Sequence, residues 1–385
     1  ANGNCQSFGL GGFGRFAALI NFNSTCHIDH KRNSCRWTES INDFQAIQPR
    51  DNEASDMNDQ DDKLVSDRQG TYGEGQNQVS VKLPLAKSLL EKNDALGSVS
   101  MIPHDWNDLV KSTSTVVTAY YRVPSKHPPE KYTTWMENML SLQDPMVVFT
   151  EPEMVHQIQN FRSHATNRTV IIPLPLYDLP IASLFSTNFW QDQLGRDPEK
   201  NIHRSYQLFW VWLSKTWFVT QATKMNPFKS DIFVWSDIGC FRNTRYNSKT
   251  MVMHPETVPL SEVLQMSRVK PDPPSETYFN DKYNNKDHFY HSGSQFAGYK
   301  NTLRYFHQFF LETIDQFLER NMIIVDDQMI LQSTCLSHPT ICAYVPRKQV
   351  DDNSYFGLRY VLHYGGQFQY WRIDNDFTPV LSPWS

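Results

Sequence analysis

A chain of 385 residues, of which 39% are hydrophobic and 13% aromatic, can bury one large core or two ordinary ones, which excludes an intrinsically disordered protein. The formal net charge of −5 and the pI near 6.2 leave no basic surplus, so we disfavour nucleic acid and anionic membranes as partners. The chain begins with Ala1 rather than Met, and we expect any targeting segment or membrane anchor to lie upstream.

The first part of the chain differs in composition from the rest. Residues 40–80 are rich in Asp, Asn, Gln and Gly and poor in apolar residues, so on their own they cannot bury enough surface to offset chain entropy. We interpret them as a stem or a long surface excursion. The predicted organisation is an N-terminal extension with this acidic, polar, stem-like segment over residues 1–110, followed by the main domain over residues 111–385.

From residue 114 onward, short apolar segments alternate with helical ones. Their Val- and Ile-rich, non-alternating character is typical of strands covered on both faces. The predicted strands are 114–123, 145–151, 168–176, 230–237 and 356–366, and the predicted buried helices are 206–220 and 302–321. This pattern indicates an α/β fold with a mixed, largely parallel sheet flanked by helices.

In parallel sheets, ligands bind at the carboxyl ends of the strands. The residues at those ends are Thr118, Tyr120, Tyr121, Thr150, Glu151, Trp235 and Asp237. The predicted topology therefore indicates a binding region before any chemistry is considered.

The segment 231–242 (DIFVWSDIGCFR) has a carboxylate and a glycine directly after an apolar strand. At the rim of a sheet, Asp237 and Gly239 would let the backbone come close to a ligand. The alternative is a turn aspartate that caps the next segment by accepting a hydrogen bond from a backbone N–H. The neighbouring features favour the first interpretation.

Four features could belong to the same site. They are Lys215 in an aromatic helix, the glycine loop 290–300 (YHSGSQFAGYK), Asp326 and Asp327 at a helix start, and His363 near the end of a predicted strand. Each also has an ordinary structural explanation. Acidic residues commonly open helices because they offset the helix dipole, and single histidines and glycines are commonly structural.

Cysteine usage favours an oxidising compartment. Cys335 and Cys342 are seven residues apart across a Ser-His-Pro turn and form a plausible hairpin-closing disulfide. Asn23 and Asn167 lie in N-x-S/T sequons that a secretory lumen could use. We therefore expect a secreted or lumenal, Golgi-like glycoprotein whose type II anchor is absent from this chain. The alternative is a cytosolic protein with six ordinary thiols.

Several segments together resemble the HtrL/YibB family. They are TVVTAYYRV (115–123), YTTWMENML (132–140), PMVVFTE (145–151), SKTWF (214–218) and NPFKSDIFVWSDIGCFR (226–242). The resemblance covers roughly residues 114–345 and is most specific in the Trp-x-Asp-x-Gly element at 235–239. Proteins of this family are similar to glycosyltransferases of the GT-A fold, so the resemblance implies a GT-A-like, Rossmann-like sheet.

The resemblance also implies a metal. Many GT-A enzymes end a core strand in Asp-x-Asp, whose carboxylates hold Mn²⁺ or Mg²⁺ against the diphosphate of a nucleotide sugar. Here Asp237 matches the second Asp, and Trp235 stands at the first. The segment LHYGG (362–366) is similar to the C-terminal His motif of glycogenin-like enzymes, which implies His363 as a second metal ligand.

Further roles follow from the same resemblance. The implied donor-binding residues are Thr118, Tyr120, Tyr121 and Trp235 for the nucleotide, with Arg162 and Lys215 for its phosphates. The implied sugar-binding residues are Tyr290, Gly293, Ser294, Gln295 and Gly298. Asp326 or Asp327 would be the general base if the reaction inverts configuration, and would bind sugar hydroxyls if it retains configuration.

The sequence thus predicts a hexosyl- or pentosyltransferase that moves a sugar from a nucleotide-diphosphate donor to a hydroxyl of a glycan or glycoconjugate, with metal assistance. Two alternatives stay open. One is a non-catalytic carbohydrate-binding protein on the same fold. The other is a glycoside hydrolase that uses Asp237 with Asp326 or Asp327 as a carboxylate pair.

Overall fold

The structure is a computed structural model of the 385-residue chain and describes residues 25–29, 34–38, 108–267, 292–353, 355–373 and 379–383. The chain divides into two compact units, Ala1–Val79 and Ser80–Ser385. In the first unit, β1 (Thr25–Asp29) pairs antiparallel with β2 (Ser34–Thr38). The boundary predicted at residue 110 lies within the second unit and stays a prediction.

A nine-stranded mixed sheet forms the centre of the second unit. Its strands are β3 (Ser114–Tyr120), β4 (Met146–Thr150), β5 (Thr169–Pro173), β6 (Ile232–Ser236), β7 (Val263–Ser267), β8 (Gln295–Tyr299), β9 (Cys342–Pro346), β10 (Gln369–Ile373) and β11 (Pro379–Pro383). Their spatial order is β11-β10-β9-β7-β8-β6-β3-β4-β5. The four strands β5, β4, β3 and β6 are mutually parallel, and β8 runs antiparallel between β6 and β7. This parallel half has the 3-2-1-4 order of a Rossmann-like sheet.

Nine α-helices accompany the sheet in the described ranges. They are α1 (Pro129–Leu140), α2 (Val155–Phe161), α3 (Thr187–Arg196), α4 (Lys200–His203), α5 (Gln207–Leu213), α6 (Lys215–Met225), α7 (Lys300–Glu319), α8 (Asp327–Ser337) and α9 (Leu358–Tyr364). Side chains cap two of them, since Ser186 accepts a hydrogen bond from the Phe189 N–H before α3 and Asp326 accepts one from the Gln328 N–H before α8. None of the helices in these ranges has the length and apolar character that a membrane crossing requires.

Apolar layers cover both faces of the sheet. Along β3, Val117 and Ala119 face a layer that contains α5 to α8, whereas Val116 and Tyr120 face a layer that contains α1 and α9. Strands buried on both faces carry apolar residues at successive positions, which explains the non-alternating pattern in the sequence.

The α/β prediction and most predicted strands are confirmed. The segments 114–123, 145–151, 168–176 and 230–237 contain β3, β4, β5 and β6, each shorter than predicted. The sheet is less parallel than predicted, because four of its eight strand pairings are antiparallel. The predicted core helix at 302–321 is confirmed as α7, which begins at Lys300 and ends at Glu319.

The predicted strand at 356–366 is wrong, because its centre is helix α9. The buried residues Leu358, Val361 and Leu362 have the spacing of one helix face. The helix stops at Gly365, whose φ of +63° is readily adopted only by glycine.

Two further predictions need correction. The single helix predicted at 206–220 is two helices, α5 and α6, separated at Ser214. The glycine loop predicted at 290–300 contributes strand β8 to the middle of the sheet. The buried Gln295 is tolerated there because its amide is satisfied internally, donating to the Ser236 hydroxyl.

The disulfide predicted between Cys335 and Cys342 is confirmed, with the two Cα atoms 5.6 Å apart. It does not close a hairpin. It joins the last turns of α8 to the first residue of β9 and so anchors the helix to the sheet.

Candidate functional site

The order of the parallel strands reverses at one point, between β3 and β6. From β3 the chain continues to β4 and β5 on one side, and it later returns to add β6 on the other side. In open α/β sheets a crevice forms at the carboxyl ends of the strands at such a switch point. Asp237, which follows β6 directly, therefore lies at the position where this class of fold binds ligands.

The Asp237 carboxylate is held by two hydrogen-bond donors. The Trp235 indole N–H donates to its Oδ1 at 2.8 Å, and the Lys215 Nζ lies 2.9 Å from Oδ1 and 3.1 Å from Oδ2. The Asp237 backbone N–H donates to the Ser294 carbonyl at 2.9 Å, which fixes the turn after β6 against the residue that precedes β8. The side chain of Asp237 remains 31% exposed, so the oriented carboxylate is accessible to a ligand.

Lys215 is the cation of the site and is almost fully buried. Its ammonium contacts Asp237, the Asp327 Oδ2 at 2.6 Å and the Gly293 carbonyl at 3.0 Å. Burial by itself would lower the pKa of Lys215, but the two carboxylates outweigh burial and raise it. The ammonium thus donates hydrogen bonds to Asp237 and the Gly293 carbonyl and forms an ion pair with Asp327, which commits it to protein oxygens.

Asp327 and Asp326 open α8 in different environments. Asp327 is buried, and burial raises its pKa to about 7 against the opposing effect of the Lys215 ammonium. Asp326 is half-buried, and its Oδ1 accepts the helix-capping hydrogen bond from the Gln328 N–H at 2.7 Å. Asp327 is thus held by Lys215, while Asp326 keeps one carboxylate oxygen outside the capping bond.

Gly293 allows these groups to approach one another. A Cβ at this position would lie 2.8 Å from the Asp327 Oδ2 and 2.8 Å from the Gln328 Cγ, distances too short for a side chain. The glycine therefore lets its carbonyl reach Lys215 while α8 packs against it.

Other predicted sugar-binding residues lie in the same region but are buried. The Ser294 hydroxyl donates to the Tyr355 carbonyl, and Gln295 is enclosed between β6 and α9. A Cβ at Gly298 would meet Leu303 at 3.1 Å, so this glycine serves helix packing. Tyr290 lies outside the described residues.

The predicted nucleotide-binding residues in and directly after β3 are also buried. Thr118, Tyr120 and Tyr121 are each less than 10% exposed. The hydroxyls of Thr118 and Tyr121 have no hydrogen-bond partner in the described part of the chain. Burial raises the pKa of Tyr121 well above its usual range, so its phenol is neutral.

Arg162, predicted to bind phosphate, has a structural role instead. Its buried guanidinium donates to five oxygen atoms, namely the carbonyls of Leu140, Leu142, Asp144 and Arg168 and the Thr169 hydroxyl. These bonds tie α2 to the end of α1 and to the segment before β4, at the amino ends of the parallel strands. The structure therefore separates Arg162 from Asp237.

His363 lies away from Asp237 as well. Its Nδ1 hydrogen-bonds the Thr250 carbonyl at 2.7 Å, and the next residue, Met251, donates its N–H to Asp144 just before β4. His363 is thus near the amino ends of the parallel strands, whereas Asp237 is at the carboxyl ends. A five-residue strand separates the two edges by roughly 15 Å.

The described residues do not fit the divalent metal that the resemblance implies. No group of three His, Cys, Asp or Glu side chains in the described ranges could hold an ion. The accessible Asp237 and the buried Asp327 both bind the Lys215 ammonium, which already supplies a positive charge between them. The position next to Asp237 is therefore occupied by a cationic side chain.

Sequence reasoning missed a cluster of aromatic residues beside the site. Trp135 of α1 packs edge-on against Tyr132 and His127, with ring centroids 5.3 and 4.9 Å apart. A Cβ at Gly239 would lie 3.3 Å from the Trp135 ring, so the segment after Asp237 packs tightly on this cluster. Arg242 extends over Trp135, 4.4 Å from the ring centroid. The available signal was the arginine three residues after Gly239, within the segment that carried the family resemblance.

The connectivity defines the class of fold. Counted from β3, the first seven strands of the sheet have the order 3-2-1-4-6-5-7 with the sixth antiparallel, which is a GT-A-like arrangement. The chain belongs to the HtrL_YibB family, described as "Bacterial protein of unknown function (HtrL_YibB)", which it matches over residues 112–353. This confirms the resemblance seen in the sequence.

The chain has little similarity to individual proteins. No curated protein matches the chain. Among solved structures it is similar to mouse xyloside xylosyltransferase 1 in its apo form, at 8% sequence identity and a TM-score of 0.34, with 60% of this chain and 83% of that chain covered.

Proposed function

We propose that this protein is a glycosyltransferase that uses a nucleotide-diphosphate sugar as donor and a hydroxyl of a glycan or glycoconjugate as acceptor. The observation that carries the proposal is the Asp237 carboxylate, which is accessible and oriented by Trp235 and Lys215 at the switch point of a GT-A-like sheet. This edge of the sheet is where the fold places ligands.

In the proposed reaction, the bond between the anomeric carbon and the diphosphate oxygen breaks, and the diphosphate leaves with the electron pair. The acceptor oxygen forms the new bond to the anomeric carbon, and its proton passes to a base. Asp237 accepts hydrogen bonds from hydroxyls of the bound sugar. Asp326 is the better base, because Asp327 is buried and held by Lys215.

A divalent metal is not assigned to this reaction. The described residues offer Asp237 alone as an accessible carboxylate next to Lys215, and the predicted second ligand, His363, lies near the other edge of the sheet. We propose an oxidising compartment for the protein, as the buried disulfide between Cys335 and Cys342 supports.

The test is a thermal-shift screen of nucleoside diphosphates and nucleotide sugars against the wild type and Asp237→Asn. A ligand at about 100 times its Kd should stabilise the folded state by roughly 2.7 kcal/mol. We expect stabilisation by one nucleotide class in the wild type, and its loss in Asp237→Asn. The matched control is Asp231→Asn, an exposed carboxylate on the same segment that pairs with Lys300. If no nucleotide or nucleotide sugar raises the melting temperature, the proposal fails.

A glycoside hydrolase is the second candidate, and the closeness of two carboxylates favours it. Asp237 and Asp327 lie 2.9 and 2.6 Å from the shared ammonium, and these two distances set an upper limit of about 5.5 Å on the separation of those oxygens. Retaining glycosidases place their two carboxylates about 5–5.5 Å apart. Here, however, the Lys215 ammonium occupies the space between them. Hydrolysis of aryl glycosides, lost in both Asp237→Asn and Asp327→Asn, would support this second function over the transferase.

A further inference from the structure

The proposed donor carries a diphosphate, and its departure requires positive charge at the site. Two basic residues that the sequence suggested for this task are already engaged. Arg162 donates to five protein oxygens, and the buried Lys215 ammonium is committed to Asp237, Asp327 and the Gly293 carbonyl. The cation that binds the diphosphate must be a different residue.

Arg242 has the properties that such a cation needs. It is exposed and lies five residues after Asp237, beyond the short turn that contains Gly239. Its guanidinium lies over the rings of Trp135 and Phe356, 4.4 and 4.8 Å from their centroids. Cation–π contact with two rings restricts the position of the guanidinium, whose N–H groups can still donate to a ligand.

The donors of Arg242 are also largely unused. Its Nε–H makes a long hydrogen bond of 3.4 Å to the Gly239 carbonyl. Within the described ranges, no carboxylate lies within ion-pair distance of this guanidinium, in contrast to the nearby Arg245, which pairs with Asp351. An arginine that contacts two aromatic rings and is not paired with a described carboxylate is suited to bidentate binding of a phosphate.

The surroundings add to the positive charge. His127 contacts Trp135, and its pKa is lowered by burial first and then by the charges of Arg242, Lys126 and Lys131. The three cations therefore act on the same small region beside the aromatic cluster. A local surplus of this kind attracts anions even though the whole chain is acidic.

We propose that Arg242, which contacts the rings of Trp135 and Phe356, binds the diphosphate of the nucleotide-sugar donor. This inference rests on the proposed function, because it assigns the donor's leaving group to a residue of the same site. The aromatic rings position the guanidinium, and Asp237 contacts the sugar on the other side of the turn. Arg242 thus supplies the charge that stabilises the diphosphate as it departs.

The test is isothermal titration with UDP, GDP, ADP, CDP and inorganic pyrophosphate on the wild type, Arg242→Gln and Arg245→Gln. Arg245→Gln is the matched control, because Arg245 lies three residues further along the chain but pairs with Asp351. Loss of charge-assisted hydrogen bonds to one phosphate should weaken binding by at least about tenfold in Arg242→Gln and leave Arg245→Gln unchanged. Equal melting temperatures of the three proteins would show that folding is not the cause.

The outcomes separate this inference from the proposed function. Nucleotide binding that is equally strong in all three proteins overturns the role of Arg242 and leaves the transferase standing. Binding of pyrophosphate but of no nucleotide, lost in Arg242→Gln, supports the anion site and sinks the transferase as proposed. Absence of binding by every probe in the wild type overturns both.

Discussion

Removal of the Lys215 ammonium tests the central arrangement of the site. Lys215→Met keeps the length of the apolar stem but leaves the buried Asp327 and the half-buried Asp237 without their cation. Breaking a buried ion pair by removing one partner typically costs 3–5 kcal/mol, because the remaining carboxylate must stay charged in a poorly solvated place or take up a proton. We expect the free energy of unfolding to fall by about 4 kcal/mol.

Urea unfolding at pH 7.5 measures this effect, and two variants make it specific. Lys300→Met removes a surface lysine that also contacts one carboxylate, Asp231, at 2.8 Å, but both partners are well exposed. Exposed pairs contribute about 0–1 kcal/mol, so this control should stay near the wild type. The double variant Lys215→Met/Asp327→Asn carries no unpaired charge at position 327 and should recover at least half of the loss.

Two results would refute the reasoning. A loss below about 1 kcal/mol in Lys215→Met, no larger than in Lys300→Met, would mean that the ammonium does not hold the carboxylates together. A double variant as unstable as the single one would mean that the loss comes from packing around the lysine stem and not from the charge on Asp327.

Three further outcomes follow from other parts of the fold. Arg162→Lys should destabilise the protein by about 2–4 kcal/mol in urea unfolding, because three donors cannot replace bonds to five oxygens and buried carbonyls are left unpaired. Replacing Cys335 and Cys342 by alanine should lower the free energy of unfolding by about 2.5 kcal/mol, because the disulfide no longer closes the loop between two residues seven apart. The melting temperature should fall, and reducing agent should not lower it further. Burial and, secondarily, the charge of Lys224 lower the pKa of His307 to about 3. Below about pH 6.5, His307 therefore binds a proton in the unfolded chain but stays neutral in the folded protein. The free energy of unfolding should therefore fall by up to about 1.4 kcal/mol per pH unit as the pH decreases from 6.5 toward 3. In His307→Gln, measured at pH 6.5, 5.5 and 4.5, the free energy of unfolding should depend less steeply on pH than in the wild type.

Strands covered on both faces could be predicted well, whereas elements whose character depends on their neighbours could not. The continuous apolar residues of β3, β4 and β6 are readable because burial on both faces demands them. Strand β8 has the short sequence QFAGY, with a glutamine and a glycine among its five residues, and it is hydrogen-bonded to β6 and β7 on either side. No local sequence pattern predicts a strand of this kind.

The segment 356–366 shows a different limit. Its valine, tyrosines and phenylalanine favour a strand by composition, while the buried Leu358, Val361 and Leu362 have helical spacing. The segment forms a helix, as the spacing of its buried residues indicates. This helix has seven residues, ends before a glycine with positive φ, and covers one patch of the sheet. The predicted role of His363 depended on the strand. At the end of a strand, His363 would have been at the edge of the sheet where Asp237 lies, whereas on α9 it lies away from that edge.

At the site, the sequence identified most of the groups that meet but not how they share their charges. Asp237, Asp327, Lys215 and Gly293 were all candidates, and the structure brings them together. Which groups remain open to a ligand depends on distances between segments far apart in the chain. Lys215 and Arg162 looked like phosphate ligands because they are basic, yet burial commits both to protein oxygens.

The division of charges explains why the site needs a residue such as Arg242. Lys215 offsets one negative charge of the pair Asp237 and Asp327, so these three groups carry no surplus of positive charge to offer a diphosphate. A carboxylate-lined site would repel such an anion unless a cation stood nearby. Arg242 meets this need from outside the buried group, on an aromatic support that leaves its donors free. The buried lysine therefore orients the carboxylate for a neutral sugar, and the exposed arginine is left to bind the charged part of the same ligand.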